Sequence, residues 1–410
     1  MRIRSITVFT ELSPTLEAAP LQQAGEFANA ARQAYQAAGF DVQTTRLATH
    51  VLPALAASSQ WAAQPAAFAT ALEAACRDYG FEYISLGPAS SEIAPRLPEI
   101  LAATQSVFAT LHIVDPQSGV IDGKAIRAAA EVIREAATIE NGFGNLRFAA
   151  LANVPASTPF FPAAYHGGGA PAFAIAVESA DLAVAACRQA QNAEEARQQL
   201  SAAIEIQAAA ITEVASRLSE AHALPFKGID FSLAPFPAPE ISIGAALELL
   251  SGEPLGGVGT LSAAATLTDA IGQARFLHVG FNGLMLPVLE DPVLGQRAAE
   301  GRLHIGELLQ WSAVCGTGLD TVPLPGDVSQ AALQRVLFDV AALSSRLHKP
   351  LTARLMPLPG KIAGDPVHFD FAYFADGGVL ALDGEGNDGK LLQSDNLSLH
   401  PYDRQSTRLN

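Results

Sequence analysis

Cysteine and basic residues are scarce in this chain of 410 residues, and their scarcity excludes several classes of protein. The three cysteines, Cys76, Cys187 and Cys315, are too few and too widely spaced for a disulfide scaffold or a CxxC metal knuckle. The 25 basic residues stand against 41 acidic ones, which gives a formal net charge of −16, and the sequence contains no basic tract. Because that charge repels phosphate backbones and anionic lipid surfaces, we expect no nucleic-acid partner and no membrane partner.

Segments that would carry the chain into a membrane are also missing from the sequence. The first ten residues, MRIRSITVFT, predict a strand and contain no apolar signal core. The longest charge-free run spans residues 148–177, but its four prolines and its three consecutive glycines would break a lipid-exposed helix. We therefore expect a cytoplasmic protein with reduced thiols.

Charged residues make up only 16% of the chain, whereas apolar residues make up 49% and supply ample material for a large core. So small a charged fraction indicates that much surface is buried, either inside a closed barrel or between the subunits of a homo-oligomer.

Strand-like apolar runs alternate with helical patterns of period 3.6 through most of the chain. Strands are predicted at residues 6–10, 41–49, 81–87, 106–114, 147–154, 226–234, 283–289, 351–358 and 378–382, and helices at 171–190 and 194–222 among others. This alternation predicts an α/β fold with mostly parallel strands in a single domain, residues 1–383. Residues 384–410 predict a loose tail, and its last part, 403–410, resembles sequencing-adapter read-through and is expected not to be native.

Several of the predicted strands, and a strand-like run that follows the turn at 316–318, end in a turn that contains proline and polar residues, for example at 85–88, 114–116, 153–155, 323–327 and 357–361. Parallel strands deliver such turns to one rim, which is where barrel enzymes place their sites. Proline also simply stops strands, so each turn taken singly has an ordinary explanation. The recurrence of polar residues after the strands favours one shared rim.

Cys315 is the first candidate for chemistry, because it precedes a Gly-Thr-Gly turn and lies near two carboxylates, Asp320 and Asp327. A thiol becomes nucleophilic when a helix N-terminus, a cation or a metal lowers its pKa. The alternative is that Cys315 is a buried small hydrophobic residue, as most free cysteines are.

His166 lies in a loop punctuated by prolines and glycines, between a predicted strand and the helix predicted from Pro171. Free backbone N–H groups at such a helix start suit an anion, and the imidazole suits an acid/base role. A lone histidine is equally often structural.

Glu290 and Asp291 are adjacent carboxylates at the end of a predicted strand. They suit a hard divalent cation, or they cap the helix that follows.

Asp230 and Arg354 both lie inside predicted strands, where a charged side chain needs a partner. Arg354 would be stabilised by a pair with Asp230 or Asp320, or by a bound anionic ligand. Lys361 is a second cation available to such a ligand.

Motifs for organic cofactors are sparse in the sequence. The run at 256–260, GGVGT, precedes a predicted helix but lacks the Lys-Ser/Thr of a P-loop and the G-x-G-x-x-G spacing. There is no nicotinamide or flavin signature, so a divalent metal is the one cofactor for which the sequence offers residues.

Five segments carry a resemblance to a known family: LANVPASTPFFPAAYHGGGAPAFAIAVESADLA, FKGIDFSLAPFP, GLMLPVLEDPVL, SAVCGTGLDTVPLPGD and LTARLMPLPGKIAGDPVHFDFAYF. They resemble the prokaryotic domain of unknown function 711 family, which is similar to uncharacterised protein family 0210. The resemblance covers residues 1–383 and implies a closed barrel of about ten mostly parallel strands ringed by helices, as in pyruvate formate-lyase, with a cysteine loop near its centre. The family's characteristic residues correspond to His166, Asp230, Glu290, Asp291, Cys315, Asp320, Asp327, Arg354, Lys361 and Asp365. Nothing in the sequence matches a glycyl radical segment, so we expect no such radical.

Three hypotheses for function follow. The first is an enzyme acting on a small anionic metabolite, with Cys315, His166 and Asp320 as catalytic residues and a binding set of Arg354, Lys361, Asp230 and Asp327. The second is a divalent-metal-dependent enzyme that uses Glu290 and Asp291. The third is a non-catalytic metabolite-binding protein, and the family has no established activity that would assign a reaction class.

Overall fold

The computed structural model describes residues 1–13, 15–56, 61, 63–382, 386 and 389–402. Its main sheet has nine strands: β1 (Arg2–Phe9), β2 (Val42–Ala48), β3 (Tyr83–Ala89), β4 (Val107–His112), β5 (Phe148–Ala152), β6 (Ala172–Glu178), β7 (Phe226–Ala234), β8 (Gly318–Pro325) and β9 (Leu351–Leu358). Their order across the sheet is β7-β6-β1-β2-β3-β4-β5-β9-β8. The predicted α/β fold is confirmed in this form, a large and mostly parallel sheet with helices around it.

The sheet consists of a central group of strands and two outer groups that run in the opposite direction. β1 to β5 run parallel to one another, β6 runs parallel to β7, and β8 runs parallel to β9. The pairs that join the groups, β1 with β6 and β5 with β9, are antiparallel. We call the end of the sheet where β1 to β5 terminate rim A, and the end where β6 to β9 terminate rim B.

The expectation that all the proline-containing turns share one rim is wrong. The turns at 85–88, 114–116 and 153–155 follow β3, β4 and β5 and lie at rim A. The turns at 323–327 and 357–361 end β8 and β9 and lie at rim B, because the antiparallel pairing of β5 with β9 reverses the chain direction. Only the tertiary pairing of the groups decides this, and no local pattern encodes it.

Twelve helices of the described chain surround the sheet: α1 (Ala18–Ala37), α2 (Leu52–Ala56), α3 (Pro65–Asp78), α4 (Leu97–Ala103), α5 (Gly123–Ala136), α6 (Ala180–Gln189), α7 (Ala193–His222), α8 (Ile243–Ser251), α9 (Thr260–Gln273), α10 (Pro292–Ala299), α11 (Ile305–Cys315) and α12 (Gln330–Leu347). Side-chain caps fix several helix starts, namely Asp122, Asn192, Ser242, Asp291 and Ser329, each accepting a hydrogen bond from a backbone N–H of the first turn. None of the described helices is long and apolar enough to span a membrane.

The helix predicted over residues 171–190 is wrong in its first half. Residues Ala172–Glu178 form β6, and α6 begins only at Ala180. All seven residues of β6 are buried, so its apolar run is continuous and cannot be told from a buried helix by periodicity.

Residues 277–288 run between the two edge strands of the sheet and bond to both. The N–H groups of Ile229 and Leu233 in β7 donate to the carbonyls of Leu277 (2.8 Å) and Gly283 (3.0 Å). On the other side, the N–H groups of Leu284 and Val288 donate to the carbonyls of Cys315 (3.2 Å) and Asp320 (3.1 Å). The strand predicted at 283–289 is therefore replaced by an extended segment with isolated bridges, since Pro287 has no N–H to continue a ladder.

The last predicted strand, 378–382, is reduced to Gly377–Gly378, which pairs antiparallel with Pro366–Val367. Residues 389–402, for which the sequence predicts a loose tail, instead contact the body of the protein. Asn396–Leu397 pairs antiparallel with Ile121–Asp122, and the N–H of Tyr402 donates to the Arg346 carbonyl. Residues 403–410 lie outside the described part of the chain.

Candidate functional site

A chain of buried ion pairs connects three regions of the molecule that are distant in sequence. Arg354 on β9 donates from Nε to Asp320 Oδ1 (2.6 Å) and from Nη2 to Glu290 Oε1 (2.7 Å). The second oxygen of Glu290 accepts a hydrogen bond from Arg4 Nη2 on β1 (2.5 Å). The side chains of Arg354 and Glu290 are only 6% and 5% exposed. Each buried charge is therefore stabilised by its partner, and removing one would leave the other uncompensated.

The sequence predicted that Arg354 would pair with Asp230, with Asp320 or with a ligand, and the structure selects Asp320. The ion-pair chain continues from Arg4, whose Nη1 lies 3.6 Å from Glu178 Oε2 at the end of β6. Glu178 also pairs with Arg2, with 2.7 Å between Arg2 Nε and Glu178 Oε1.

Irregularities in the sheet bring these side chains together. The pairing of β1 with β6 shifts register between Ile3 and Ser5, which makes Arg4 an extra residue on β1. The pairing of β9 with β8 shifts opposite Asp320 and Thr321, and Thr321 has a φ of 40°, in the left-handed region that β-branched residues rarely adopt. Such bulges re-aim side chains and are common beside functional sites.

The pKa values of the two carboxylates bound to Arg354 are shifted in opposite directions from their usual values. Burial alone would raise the pKa of Glu290, but the guanidinium groups of Arg4 and Arg354 outweigh it and hold that pKa below its usual value. Burial raises the pKa of Asp320, and the nearby charge of Glu290 adds to the increase while Arg354 opposes it. When the pKa values of two neighbouring carboxyl groups are separated, the group with the higher pKa can donate a proton while the other stays ionised.

Arg46 on β2 is a buried arginine without a carboxylate partner. The only hydrogen bond that its side chain makes to the described residues runs from Nε to Thr44 Oγ1 (2.8 Å), and no described carboxylate lies within 4.0 Å of its guanidinium. The guanidinium carbon lies 5.4 Å from the ring centre of Tyr83 and 5.1 Å from that of Phe161. Burial lowers the pKa of Arg46 to about 9, and the charge of Arg4 contributes to the decrease.

A pocket lies beside Arg46 and the ion-pair chain. Three arginines (Arg4, Arg46 and Arg354) and Glu290 line it, together with an aromatic wall of Tyr83, Phe108, Phe161, Phe371 and Tyr373. Its cavity volume is about 50 Å³, which is room for a few water molecules or a small ligand. Gln43 also lines it, and its buried Nε2 has no hydrogen-bond partner in the described chain.

Cys315 and His166 do not lie in this pocket. Cys315 is the fully buried last residue of α11, just before β8 begins at rim A. It therefore lies at the C-terminal end of a helix, whereas reactive thiols are typically found at a helix N-terminus. The backbone N–H of His166 donates to the Thr49 carbonyl just beyond β2, which also places it at rim A, and its ring Nε2 lies 3.2 Å from the Gly169 carbonyl oxygen.

Asp230 has a structural environment. Its carboxylate accepts hydrogen bonds from the backbone N–H groups of Phe281 (2.7 Å) and Asn282 (3.0 Å) and from the N–H and hydroxyl of Ser232. Burial nevertheless raises the pKa of Asp230. The residue thus fixes the 277–288 segment against β7.

Lys361 and Asp327 lie in the turns at rim B. The Lys361 carbonyl accepts from the N–H of Gly326, which ties these two turns together. Asp327 is exposed, and within the described chain neither side chain forms a hydrogen bond or ion pair that would connect it to the arginine pocket.

The predicted metal ligands are committed to other partners. Asp291 is fully buried and caps α10 through the N–H groups of Val293 and Leu294, as the capping alternative expects. Glu290 is held between two guanidinium groups, whose charge opposes a cation. Among the described residues, no group of three or more His, Cys, Asp and Glu side chains is arranged to hold a metal ion.

Comparison with known proteins shows the family to which the chain belongs. Residues 1–375 match the family described as Uncharacterised ACR (DUF711). The chain belongs to the DUF711 family. The resemblance carried by the five sequence segments is thereby confirmed.

Curated relatives of this DUF711 chain are UPF0210 proteins. That of Pyrobaculum aerophilum is 34% identical over 295 residues, which cover 70% of this chain and 64% of the relative. That of Desulforudis audaxviator is 33% identical over 293 residues, 68% of this chain and 64% of the relative. The chain thus spans somewhat under two thirds of the length of these relatives, and their names assign no activity.

Several residues of the arginine pocket and of the ion-pair chain were not identified from the sequence of this DUF711 protein, chiefly Arg4, Arg46, Glu178 and Tyr83. Arg46 carried the signal that singled out Arg354, a charge inside a predicted strand. Arg4 lay outside the strand predicted at 6–10, which in fact begins at Arg2. Tyr83 and Glu178 had no local signal, because only the sheet pairing brings Tyr83 to the pocket and Glu178 to the ion-pair chain.

Proposed function

We propose that this protein binds a small anionic metabolite on the guanidinium of Arg46, with Asp320, which is bound to Arg354 beside the pocket, as the candidate acid–base residue. The observation that carries the proposal is the burial of Arg46 without a counter-ion. Arg46 as a whole is only 5% exposed, and its aromatic neighbours do not neutralise its charge. Because an uncompensated buried charge is costly, a bound anion is the simplest source of the missing stabilisation.

The surroundings of Arg46 support an anion rather than a cation. Arg4 and Arg354 line the same pocket and add positive potential, while Gln43 supplies an unpaired N–H donor. Arginine presents a planar fork of donors that matches a carboxylate or phosphate. Among the predicted binding residues, Arg354 retains its proposed role, whereas Lys361, Asp327 and Asp230 lie elsewhere.

Asp320 is the predicted catalytic residue with a contact to the lining of the Arg46 pocket, although it does not line that pocket itself but an adjacent small cavity that shares Phe161 and Arg354. It contacts Arg354, which lines the pocket, and its raised pKa favours the protonated form to higher pH than an ordinary aspartate. A protein that binds the anion without using Asp320 chemically would match the non-catalytic hypothesis instead.

Arg46→Met tests the binding role. Acetate and inorganic phosphate, titrated by calorimetry at low ionic strength, should include at least one anion that binds the wild type. Arg46→Met should weaken that binding by about 10- to 100-fold, since a hydrogen bond to a charged group contributes roughly 1.5–3 kcal/mol. Arg46→Lys, which keeps the charge but loses the fork, should fall between the two.

The matched control is Arg217→Met, since Arg217 is an exposed arginine paired only with Glu213 on its own helix. Its affinity for the same anion should equal that of the wild type. Failure of both anions to bind, or equal affinity of wild type and Arg46→Met, would overturn the proposal.

We propose further that the sheet closes into a barrel of the pyruvate formate-lyase type, with residues 277–288 in the place of a tenth strand. The support is that this segment bonds to β7 through Ile229 and Leu233, to the last residue of α11 through the Cys315 carbonyl, and to β8 through the Asp320 carbonyl. Glu290, two residues after it, contacts Arg4 and Arg354 on two strands that are not neighbours in the sheet order. A strongly curved sheet accounts for both observations.

A further inference from the structure

We propose that the anion bound in the Arg46 pocket is a short-chain monocarboxylate with a small apolar body. This inference rests on the proposed function, and it specifies the charge, size and polarity of the ligand. Three independent features of the pocket lead to it: the charge count, the aromatic wall and the cavity volume.

The charge count favours an anion with a single negative charge. Of the three arginines that line the pocket, Arg4 and Arg354 each contact at least one carboxylate. Only Arg46 has no described carboxylate within 4.0 Å. Glu82, another acid near Arg46, is engaged by Arg32 in a surface pair. A monoanion would balance the single excess charge, whereas a dianion would leave one negative charge in a buried site.

The aromatic wall favours an apolar body on the ligand. The Phe108 ring lies 5.3 Å from both the Tyr83 and the Phe161 ring centres, so the three rings form a continuous surface around the guanidinium. A ligand that carries only oxygens, such as phosphate, would leave this surface without an apolar partner. A carboxylate with a few carbons satisfies Arg46 with its oxygens and the rings with its carbons.

The cavity volume limits the size of that body. An apolar cavity of about 150 Å³ holds benzene, so a cavity near 50 Å³ admits only a smaller molecule. Acetate and propionate are within this limit, and benzoate exceeds it.

A panel of five anions tests the inference on the wild-type protein, by calorimetry at one ionic strength: acetate, propionate, benzoate, malonate and inorganic phosphate. Propionate should bind about fourfold more tightly than acetate, because one additional methylene is buried. Malonate, which replaces the methyl of propionate with a second carboxylate, and phosphate should each bind at least about tenfold more weakly than propionate. Benzoate should bind no more tightly than acetate.

The Phe108→Ala variant provides a second, independent test, because Phe108 lines the cavity and carries no charge. Removing its ring enlarges the cavity, so benzoate should gain affinity relative to propionate.

The outcomes separate this inference from the proposed function. If no anion of the panel binds, both are overturned. If anions bind in a manner that requires Arg46, but malonate or phosphate matches propionate, or benzoate exceeds it in the wild type, the proposed function stands and the monocarboxylate assignment is overturned.

Discussion

Replacing Glu290 with glutamine should lower the free energy of unfolding by about 3–5 kcal/mol. The substitution keeps the shape of the side chain but removes the charge shared by Arg4 and Arg354, both of which lie in a buried environment. Removing one partner of a buried ion pair leaves the other uncompensated, which costs far more than the pair itself contributes. Urea unfolding followed by circular dichroism measures the change.

Glu300→Gln is the control for that experiment. Glu300 pairs with Arg297 at the surface and is 36% exposed, so its loss should change the free energy of unfolding by less than about 1 kcal/mol. If Glu290→Gln were no more destabilising than Glu300→Gln, the buried ion-pair chain would not be a stabilising element of the fold.

The effect of Glu290→Gln should also depend on pH. The ion pairs hold the folded-state pKa of Glu290 below its unfolded value of about 4.3, so its contribution is fully present above that pH. As the pH falls through the folded-state pKa, the wild type loses this contribution while the variant has none to lose. The difference in stability between the two proteins should therefore shrink in acid.

Gly283→Ala should lower the free energy of unfolding by more than about 3 kcal/mol, because the new methyl group has no space. A Cβ at this position would lie 1.8 Å from the carbonyl oxygen of Cys315, a backbone atom that cannot move independently. The Gly283 carbonyl also accepts the N–H of Leu233, so the segment is held between β7 and β8.

Gly272→Ala is the control for that experiment, and it should change the free energy of unfolding in the opposite direction. Gly272 lies inside α9, and no atom comes within 4 Å of the position that an alanine methyl group would take there. Alanine should therefore raise the free energy of unfolding by roughly 0.5–1 kcal/mol. A mild effect of Gly283→Ala, comparable in size to that of Gly272→Ala, would contradict the close contact of the 277–288 segment with both edge strands.

Most strands of this fold were predictable from the local sequence pattern, but their relative directions in the sheet were not. Seven of the predicted strands correspond to β1 to β5, β7 and β9, because each is an apolar run bounded by turn residues. β6 was missed because its sequence, AFAIAVE, is buried throughout and rich in alanine. The strand-end turns are divided between the two rims because β1 pairs antiparallel with β6 and β5 with β9. These pairs join residues distant in sequence.

The candidate site was predictable only where one residue violated a local rule. A charged side chain inside a buried strand needs a partner, so the sequence predicts a partner for Arg354 and includes Asp320 among the candidates. The pairing of Arg4 with Glu290 depends on a bulge in β1 and on the path of the 277–288 segment, neither of which has a sequence signature. The motif around Cys315 attracted attention through its glycines, but Gly316 and Gly318 serve as positive-φ residues at the end of α11 and the start of β8.

The most direct test of anion binding at Arg46 is a crystal structure of the protein with propionate bound. We expect a carboxylate within about 2.7–3.2 Å of the Arg46 Nη atoms, with its carbons against Tyr83 and Phe161. Propionate bound instead at rim A, beside Cys315 or His166, with the Arg46 pocket holding only solvent, would contradict it.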